Sequence, residues 1–305
     1  LSFPPHLVRD YVDKFEVDSR HTVLDPFCGA GTTLVECKKL GIPCIGIEAN
    51  PMALFASQIK TDWDVDPQGL MDHASEIAKM AARKLSNEGL SDEAGLPLFD
   101  DPRIVGHLRA LPDDGMKLLL RDSINPVPLH KTLTLLDLLS ANHHERYTSH
   151  EKLALAKAVV FNISNLQFGP EVGAKKDKRV NPPVVTAWLS CVETMANDLR
   201  VQNGKPSSPS ELLLADSRDL SKILRQNSVD AVITSPPYPN EKDYTRTTRL
   251  ESVLLGFLSN KQDLRALKKG LVRSNTRNVY KGDEDHLFVE NHREIQRIAE
   301  AIEKR

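Results

Sequence analysis

The chain has 305 residues, of which 40% are hydrophobic and 27% are charged, so it is long enough to bury a sizeable core in one large domain or two modest ones. Its formal net charge is only −2, which excludes a strongly basic molecule and confines any polyanion-binding surface to a local patch. No apolar run approaches the roughly 20 residues that span a bilayer, and no signal-peptide pattern opens the chain. The four cysteines show neither disulfide nor zinc spacing. We therefore predict a soluble cytoplasmic protein with reduced thiols and no membrane partner.

The first 60 residues predict a helix followed by two β-α units. Residues 1–15 carry apolar side chains at helical spacing, which favours a helix packed on a sheet. Strands are predicted at 22–26 and 43–48, and helices at 32–40 and 51–60. Because short strands alternate with helices, the expected sheet is parallel.

The turn after the first predicted strand has the features of a ligand-binding loop. Residues 22–36 read T-V-L-D-P-F-C-G-A-G-T-T-L-V-E. Gly29 and Gly31 allow the backbone to approach a ligand, and the following helix start directs N–H groups towards it. No lysine follows the glycines, so the turn is not a P-loop. Glu48 ends the second strand, where a carboxylate can accept hydrogen bonds from both hydroxyls of a ribose.

The middle of the chain, from 61 to 205, is predicted to be mainly helical. Helical periodicity covers 69–85, 114–122, 128–141, 149–165 and 182–201. The stretch 166–183 is rich in proline and glycine and is expected to lack regular structure. It is either a solvated crossing or a loop that contacts phosphates through Lys175, Lys176, Lys178 and Arg179.

The last third of the chain returns to strands. We predict strands at 211–215 and 229–234, the second of which runs into T-S-P-P-Y, residues 234–238. A helix is expected from about 248 to 258, followed by a basic stretch and an amphipathic helix at 291–304. Arg246, Arg273 and Arg277 are further candidate phosphate contacts. The carboxyl ends of all four strands should meet at one edge of the sheet.

These motifs, in this order, resemble the S-adenosylmethionine-dependent DNA amino-methyltransferases, which methylate the exocyclic nitrogen of cytosine or adenine. D-P-F-C-G-A-G-T-T is similar to motif I, Glu48 to motif II, L-A-D-S-R-D-L to motif III and T-S-P-P-Y to motif IV of that family. The opening S-F-P-P-H-L-V resembles motif X. The similarity covers roughly 1–60 and 206–250, so it implies a Rossmann-like doubly wound methyltransferase sheet.

The resemblance also implies a cofactor site for S-adenosylmethionine. Phe3 and Pro4 would line its methionine end, and Asp216 would accept a hydrogen bond from its adenine amino group. The residues that we assign to cofactor binding are Phe3, Pro4, Asp25, Pro26, Phe27, Gly29, Gly31, Thr32, Thr33, Glu48, Asp216 and Ser217.

The domain organisation follows from the same comparison. We predict a catalytic domain built from 1–60 and 206–305, and a helical insertion at 61–205 that corresponds to the family's target-recognition region. A complete methyltransferase sheet has more strands than the four predicted here. The sheet is therefore expected to be incomplete at the C-terminal end, which together with the missing initiator methionine suggests a fragment.

The S-P-P-Y segment supplies the chemistry that amine methylation needs. The lone pair of an exocyclic amine is delocalised into the ring, and acceptors on its two hydrogens would localise that pair and align the nitrogen with the methyl group. Ser235 and the carbonyl of Pro236 are suited to this, with Pro237 stiffening the turn. Tyr238 would stack on a target base flipped out of the duplex.

The prediction of which base is methylated rests on the resemblance to the family alone. Serine at the start of the tetrapeptide resembles the cytosine-N4 enzymes, whereas aspartate is usual for adenine, so we predict cytosine-N4 methylation of double-stranded DNA. An adenine-N6 DNA or RNA methyltransferase is an alternative. So is a non-catalytic DNA-binding or assembly module with a vestigial cofactor pocket. A cognate restriction or defence-system subunit is a further possible partner. The ten histidines show no metal spacing, and we predict no metal site.

Overall fold

The computed structural model of the protein describes residues 3–92, 108–169, 171–205, 207–238, 243–274 and 284–304. Within these ranges the strands are β1 (Val23–Asp25), β2 (Cys44–Glu48), β3 (Leu166–Gln167), β4 (Gly173–Ala174), β5 (Ser210–Leu214) and β6 (Ala231–Val232). The α-helices are α1 (Pro5–Lys14), α2 (Thr32–Lys39), α3 (Pro51–Thr61), α4 (Pro67–Asn87), α5 (Asp113–Met116), α6 (Pro126–Ala141), α7 (Thr148–Ala158), α8 (Val184–Gln202), α9 (Leu220–Ile223), α10 (Arg249–Leu254), α11 (Lys261–Gly270) and α12 (Arg293–Glu303).

Four of the strands form a parallel sheet in the order β5-β2-β1-β6. Val23 of β1 pairs with Cys44 of β2 on one side and with Ala231 of β6 on the other. The strand order reverses at β1, because the chain moves from β1 towards β5 on one side and places β6 on the other. A crevice therefore opens beyond the carboxyl ends of β1 and β6. This confirms the predicted Rossmann-like α/β fold.

The strands are present where the sequence predicts them, with small changes in their limits. The largest difference is β6, which covers only two of the predicted residues 229–234. Its backbone continues the pairing as far as Ile233, whose N–H donates to the carbonyl of Leu24 at 3.0 Å. Pro236 and Pro237 follow shortly afterwards and have no N–H to extend the ladder.

Helices α1 and α2 pack against one face of the sheet. Val8 of α1 and Leu34 of α2 are fully buried, and they share a cluster with Val23 of β1 and Cys44 of β2. Such side chains contribute roughly 1.5–3 kcal/mol each on full burial. Of the apolar side chains that α1 and its C-cap present at helical spacing, Val8 and Val12 are buried, whereas Leu7, Tyr11 and Phe15 are exposed.

A second and larger core lies among α4, α6, α7 and α8. Leu70, Leu135 and Trp188 are fully buried in it. The indole N–H of Trp188 donates to the carbonyl of Glu151 at 2.9 Å, which satisfies its polar edge. The helices predicted at 69–85, 128–141, 149–165 and 182–201 are confirmed, with changes in their limits. The helix predicted at 114–122 was wrong for most of its length, because α5 ends at Met116. The assignment of this region to target recognition stays a prediction.

The segment 166–183, expected to lack regular structure, contains the short antiparallel pair β3 and β4. Asn165 organises it. Its side-chain N–H₂ donates to the carbonyl of Asp122 and to the side chain of Asn125, each at 3.0 Å, and its Oδ1 accepts from the N–H of Arg179 at 2.7 Å. Strands of two residues are too short to leave a periodic pattern in the sequence, so this prediction was wrong.

Among the helices in the described ranges, none combines the length and the apolar character that crossing a bilayer requires.

Candidate active site

The loop after β1 adopts the tight glycine turn that the sequence predicts. Gly29 and Gly31 both have positive φ angles, of 53° and 83°. The hydroxyl of Ser57 in α3 donates to the carbonyl of Gly29 at 2.6 Å, so α3 holds the turn in place through a hydrogen bond. A Cβ atom built on Gly29 would meet no protein atom within 4 Å, which leaves this part of the backbone open to a ligand.

Asp25 connects the glycine turn to the end of β6. Its side chain is 1% exposed, and its Oδ1 accepts from the N–H of Phe27 at 3.1 Å and from the hydroxyl of Thr234 at 2.7 Å. Burial raises the pKa of this carboxyl, and those hydrogen bonds oppose the rise only in part. Asp25 therefore joins two loops that are more than two hundred positions apart in sequence.

Glu48, at the end of β2, points back over the glycine turn. Its Oε2 accepts from the N–H of Gly29 at 2.9 Å, and its Oε1 accepts from the N–H of Asn50 at 2.8 Å. Burial raises its pKa, while the two backbone N–H groups act in the opposite direction. Each oxygen keeps a lone pair for a further donor, because an ionised carboxylate has about four acceptor sites.

Asp216 and Ser217 follow β5 and reach the same place. The hydroxyl of Ser217 donates to the carbonyl of Pro26 in the loop after β1. Asp216 is paired with the guanidinium of Arg218, which also contacts Asp285. Partial burial acts to raise the pKa of Asp216, but its hydrogen bonds with Arg218 outweigh it and lower the pKa.

The S-P-P-Y segment lines the same cavity as the glycine turn. The hydroxyls of Ser235 and Tyr238 are 3.3 Å apart, and the backbone N–H of Tyr238 donates to the hydroxyl of Tyr244 at 2.9 Å. The ring of Tyr238 is 57% exposed, so it presents an open aromatic surface. An exposed ring of this kind is available to stack on another aromatic group.

All these segments line one cavity of about 1310 Å³. Pockets for small ligands commonly measure about 300–1,000 Å³, so the cavity has room for a cofactor and a second group together. The predicted site residues in its wall are Phe3, Pro26, Phe27, Gly29, Thr32, Glu48, Asp216, Ser217, Ser235, Pro236, Pro237 and Tyr238.

Four predicted cofactor residues lie outside this wall: Pro4, Asp25, Gly31 and Thr33. Asp25 and Gly31 determine the conformation of the loop, through a hydrogen bond from the N–H of Phe27 and a positive φ angle respectively. The hydroxyl of Thr33 is 3.4 Å from the carbonyl of Ile233 at the end of β6. The wall also contains residues that the motifs did not single out, among them Asn50 and Glu251. Asn50 lies two residues after Glu48 and was within reach of sequence reasoning, whereas nothing local marks Glu251.

The predicted phosphate contacts divide into two groups. Arg179 and Arg246 serve the fold: the Arg179 guanidinium donates to the carbonyls of Phe161 and Ser164, and Arg246 donates to the carbonyl of Val172. Lys178 lies 3.5 Å from Asp122. Lys176 and Arg273 are exposed, Lys175 is half-buried, and Arg277 lies outside the described residues.

The fold and the cavity together resemble those of a Rossmann-like methyltransferase, with a glycine turn and a proline-rich turn lining the same crevice. A family model described as DNA methylase matches residues 1–58. Type II methyltransferase M.BsoBI of Geobacillus stearothermophilus is 29% identical over 97% of this chain and 60% of its own length. Type II methyltransferase M.AvaI of Anabaena variabilis is 24% identical over 99% and 60%. These matches support an amino-methyltransferase of the N4/N6 family.

Other matches are shorter or missing. Type II methyltransferase M.MjaII of Methanocaldococcus jannaschii is 40% identical over 58 residues, which is 19% of this chain and 11% of that protein. The chain spans 60% of the length of the relatives that it matches throughout. No solved structure matches it significantly.

The cofactor of this family is S-adenosylmethionine, and the cavity fits it. The open backbone at Gly29 gives the close approach that the motif implies, and the first turn of α2 directs N–H groups to the same wall. Glu48 offers acceptor sites for ribose hydroxyls, and the rings of Phe3 and Phe27 add apolar surface. The lining therefore combines a mainly apolar wall with a few convergent polar groups, as a nucleoside-bearing ligand requires.

Proposed function

We propose that the protein is a DNA amino-methyltransferase that transfers a methyl group from S-adenosylmethionine to the exocyclic N4 of cytosine in a flipped base. The observation that carries this proposal is the shared cavity, because Gly29 on the cofactor side and Tyr238 on the proposed base side line the same space. The similarity to Type II methyltransferases supports DNA as the substrate and a restriction-modification setting. A cognate nuclease as a partner is a further part of this proposal.

The proposed chemistry places the protein's own groups around the target amine. S-adenosylmethionine supplies an electrophilic methyl group when bound. The hydroxyl of Ser235 and the carbonyl of Pro236 accept hydrogen bonds from the two amine hydrogens, which localises the lone pair on nitrogen. Tyr238 stacks on the base, and its turn is fixed through Tyr244. Since both loops are attached to the β1–β6 edge, their separation is set by the sheet.

DNA would be held by the surface around this cavity. Lys176 and Arg273 are exposed, and Arg273 also lines the cavity. Their cationic side chains suit phosphate contacts that position the duplex without reading its sequence. The helical insertion at 61–205 is our candidate for the part that reads the target sequence.

The test is cofactor-dependent methylation of a DNA library, followed by hydrolysis and mass spectrometry of the nucleosides. The expected product is N4-methylcytosine, formed by the wild-type protein and lost in Ser235→Ala. N6-methyladenine alone would overturn the assignment of the base. Labelling of RNA in place of DNA would overturn the substrate class, and absence of any transfer together with absence of cofactor binding would overturn the enzyme assignment.

A further inference from the structure

Glu251 is a buried acidic residue in the wall of the cavity. It lies in α10, and the residue as a whole is only 8% exposed. Among the described residues, its Oε2 atom has no hydrogen-bond partner. A buried carboxylate oxygen without a partner destabilises the protein. In the wall of a cavity, a ligand can supply the missing partner.

The position of Glu251 is fixed relative to the cofactor side of the cavity. Thr248, just before α10, accepts a hydrogen bond from the side-chain N–H₂ of Asn50 at 3.1 Å. The backbone N–H of Asn50 in turn donates to Glu48. The start of α10 is thus tied to the end of β2 through a single asparagine, and Phe3, which the motifs assign to the methionine end, lines the same cavity.

Three other carboxylates in this wall already have partners. Glu48 accepts from two backbone N–H groups, and Asp216 is paired with Arg218. Asp243 lies 2.7 Å from the ammonium group of Lys268. Glu251 differs from these three because one of its carboxylate oxygens, Oε2, is buried and has no hydrogen-bond partner in the described residues. A positively charged donor for that oxygen is available on the proposed cofactor.

We infer that Glu251 binds the α-ammonium group in the methionine part of S-adenosylmethionine. This inference rests on the proposed function, because it places that cofactor in this cavity. The ammonium group carries a full positive charge and three N–H donors, whereas a carboxylate offers only acceptors. A flipped base is neutral, so charge complementarity favours the cofactor over the base as the partner of Glu251.

Burial supports the same assignment. It raises the pKa of Glu251 from its usual value of 4.5 to about 7, so near neutral pH a substantial fraction is already ionised. An approaching cation lowers that pKa again and completes the ionisation. The apolar neighbourhood strengthens the attraction, because a charge pair shielded from water is less screened than one on the surface.

The experiment is a binding cycle measured by titration calorimetry with S-adenosylhomocysteine and its desamino analogue, which lacks only the ammonium group. The proteins are the wild type, Glu251→Gln and the matched control Glu76→Gln, an exposed glutamate on α4 that pairs with Lys79. We expect Glu251→Gln to weaken the binding of S-adenosylhomocysteine by roughly 10- to 100-fold and to leave the affinity for the desamino analogue unchanged. Glu76→Gln should bind both ligands as the wild type does.

Three outcomes would overturn the inference. Equal affinity of wild type and Glu251→Gln for S-adenosylhomocysteine removes the proposed contact. Equal weakening of both ligands means that the substitution disturbs the pocket as a whole. Normal cofactor binding combined with a raised KM for DNA would assign Glu251 to the base. If the wild type binds neither ligand, the proposed function fails as well, so the two failures are distinguishable. Wild-type discrimination between the ligands is informative even if Glu251→Gln does not fold, since absence of discrimination refutes an ammonium contact.

Discussion

Gly31 should tolerate alanine much less well than Gly41, although both glycines adopt the left-handed backbone conformation that is unfavourable for other residues. Their φ angles are 83° and 72°, so a side chain at either position costs about 1–2 kcal/mol in backbone strain. Alanine recovers about 0.4–1 kcal/mol at both sites by restricting the unfolded chain. The strain terms are therefore matched, and the difference between the two variants isolates packing.

The packing term comes from Ser57. A Cβ atom on Gly31 would lie 3.0–3.1 Å from the Oγ, Cα and Cβ atoms of Ser57, whereas one on Gly41 would meet nothing within 4 Å. Ser57 is fully buried, and its hydroxyl donates to the carbonyl of Gly29. It cannot move without disturbing the turn, so overpacking adds about 1–3 kcal/mol to the cost of Gly31→Ala.

Urea denaturation of the two variants measures this difference directly. We expect Gly41→Ala to lower the free energy of unfolding by about 0–1.6 kcal/mol and Gly31→Ala by about 1–4.6 kcal/mol, so that the two variants differ by the packing contribution of about 1–3 kcal/mol. Cofactor affinity should fall only in Gly31→Ala, since that substitution displaces the turn at Gly29. Equal losses of stability in the two variants would refute the argument that Ser57 confines the turn.

Three further predictions concern other parts of the molecule. Ser235→Ala and Tyr238→Ala should each slow methylation about 100-fold in single-turnover assays and leave cofactor affinity intact; the reverse pattern would mean that the roles are misassigned. Burial keeps Glu251 protonated in the folded state up to about pH 7, so the free energy of unfolding should fall by about 3 kcal/mol as pH rises from 4.5 to 7, and Glu251→Gln should flatten this slope in a series of denaturation curves. Asp92 accepts hydrogen bonds from the N–H groups of Val185 and Thr186 and so caps the start of α8. Asp92→Ala should therefore lower the free energy of unfolding by about 1–2 kcal/mol. An unchanged melting temperature would contradict this capping role.

The arrangement of the sheet was accessible from sequence because its signals are local. Each strand is a short apolar run that ends in a polar or glycine-rich turn, and the motif order fixed which turns should meet. Gly29 and Tyr238 were predicted to share a crevice, and they line one cavity. Glu48 lies at the end of β2 as its position after an apolar run indicated.

Roles that depend on distant partners were not accessible in this way. Asp25 was predicted to contact the cofactor, which stays a prediction, and the structure adds that its carboxylate accepts a hydrogen bond from Thr234, a residue far along the chain. Arg179 was predicted to contact phosphate, which also stays a prediction, and the structure adds that its guanidinium donates to the backbone carbonyls of Phe161 and Ser164. A charged residue in a loop looks the same in sequence whether it faces solvent or caps a neighbouring backbone segment. Glu251 went unnoticed because its significance lies in a buried carboxylate oxygen without a hydrogen-bond partner in the described residues, which no one-dimensional pattern records.

The adjacency of β2 and β5 bears on how this architecture can diversify. The two strands are hydrogen-bonded from Cys44 with Ser210 to Glu48 with Leu214, although a long helical stretch of chain separates them. That stretch therefore starts and ends at adjacent strands of the same sheet. Doubling the length of such an excursion adds only about 0.6 kcal/mol of closure entropy. The helical stretch between β2 and β5 can therefore be lengthened, shortened or replaced at little cost in closure entropy while the sheet and its cavity keep their shape.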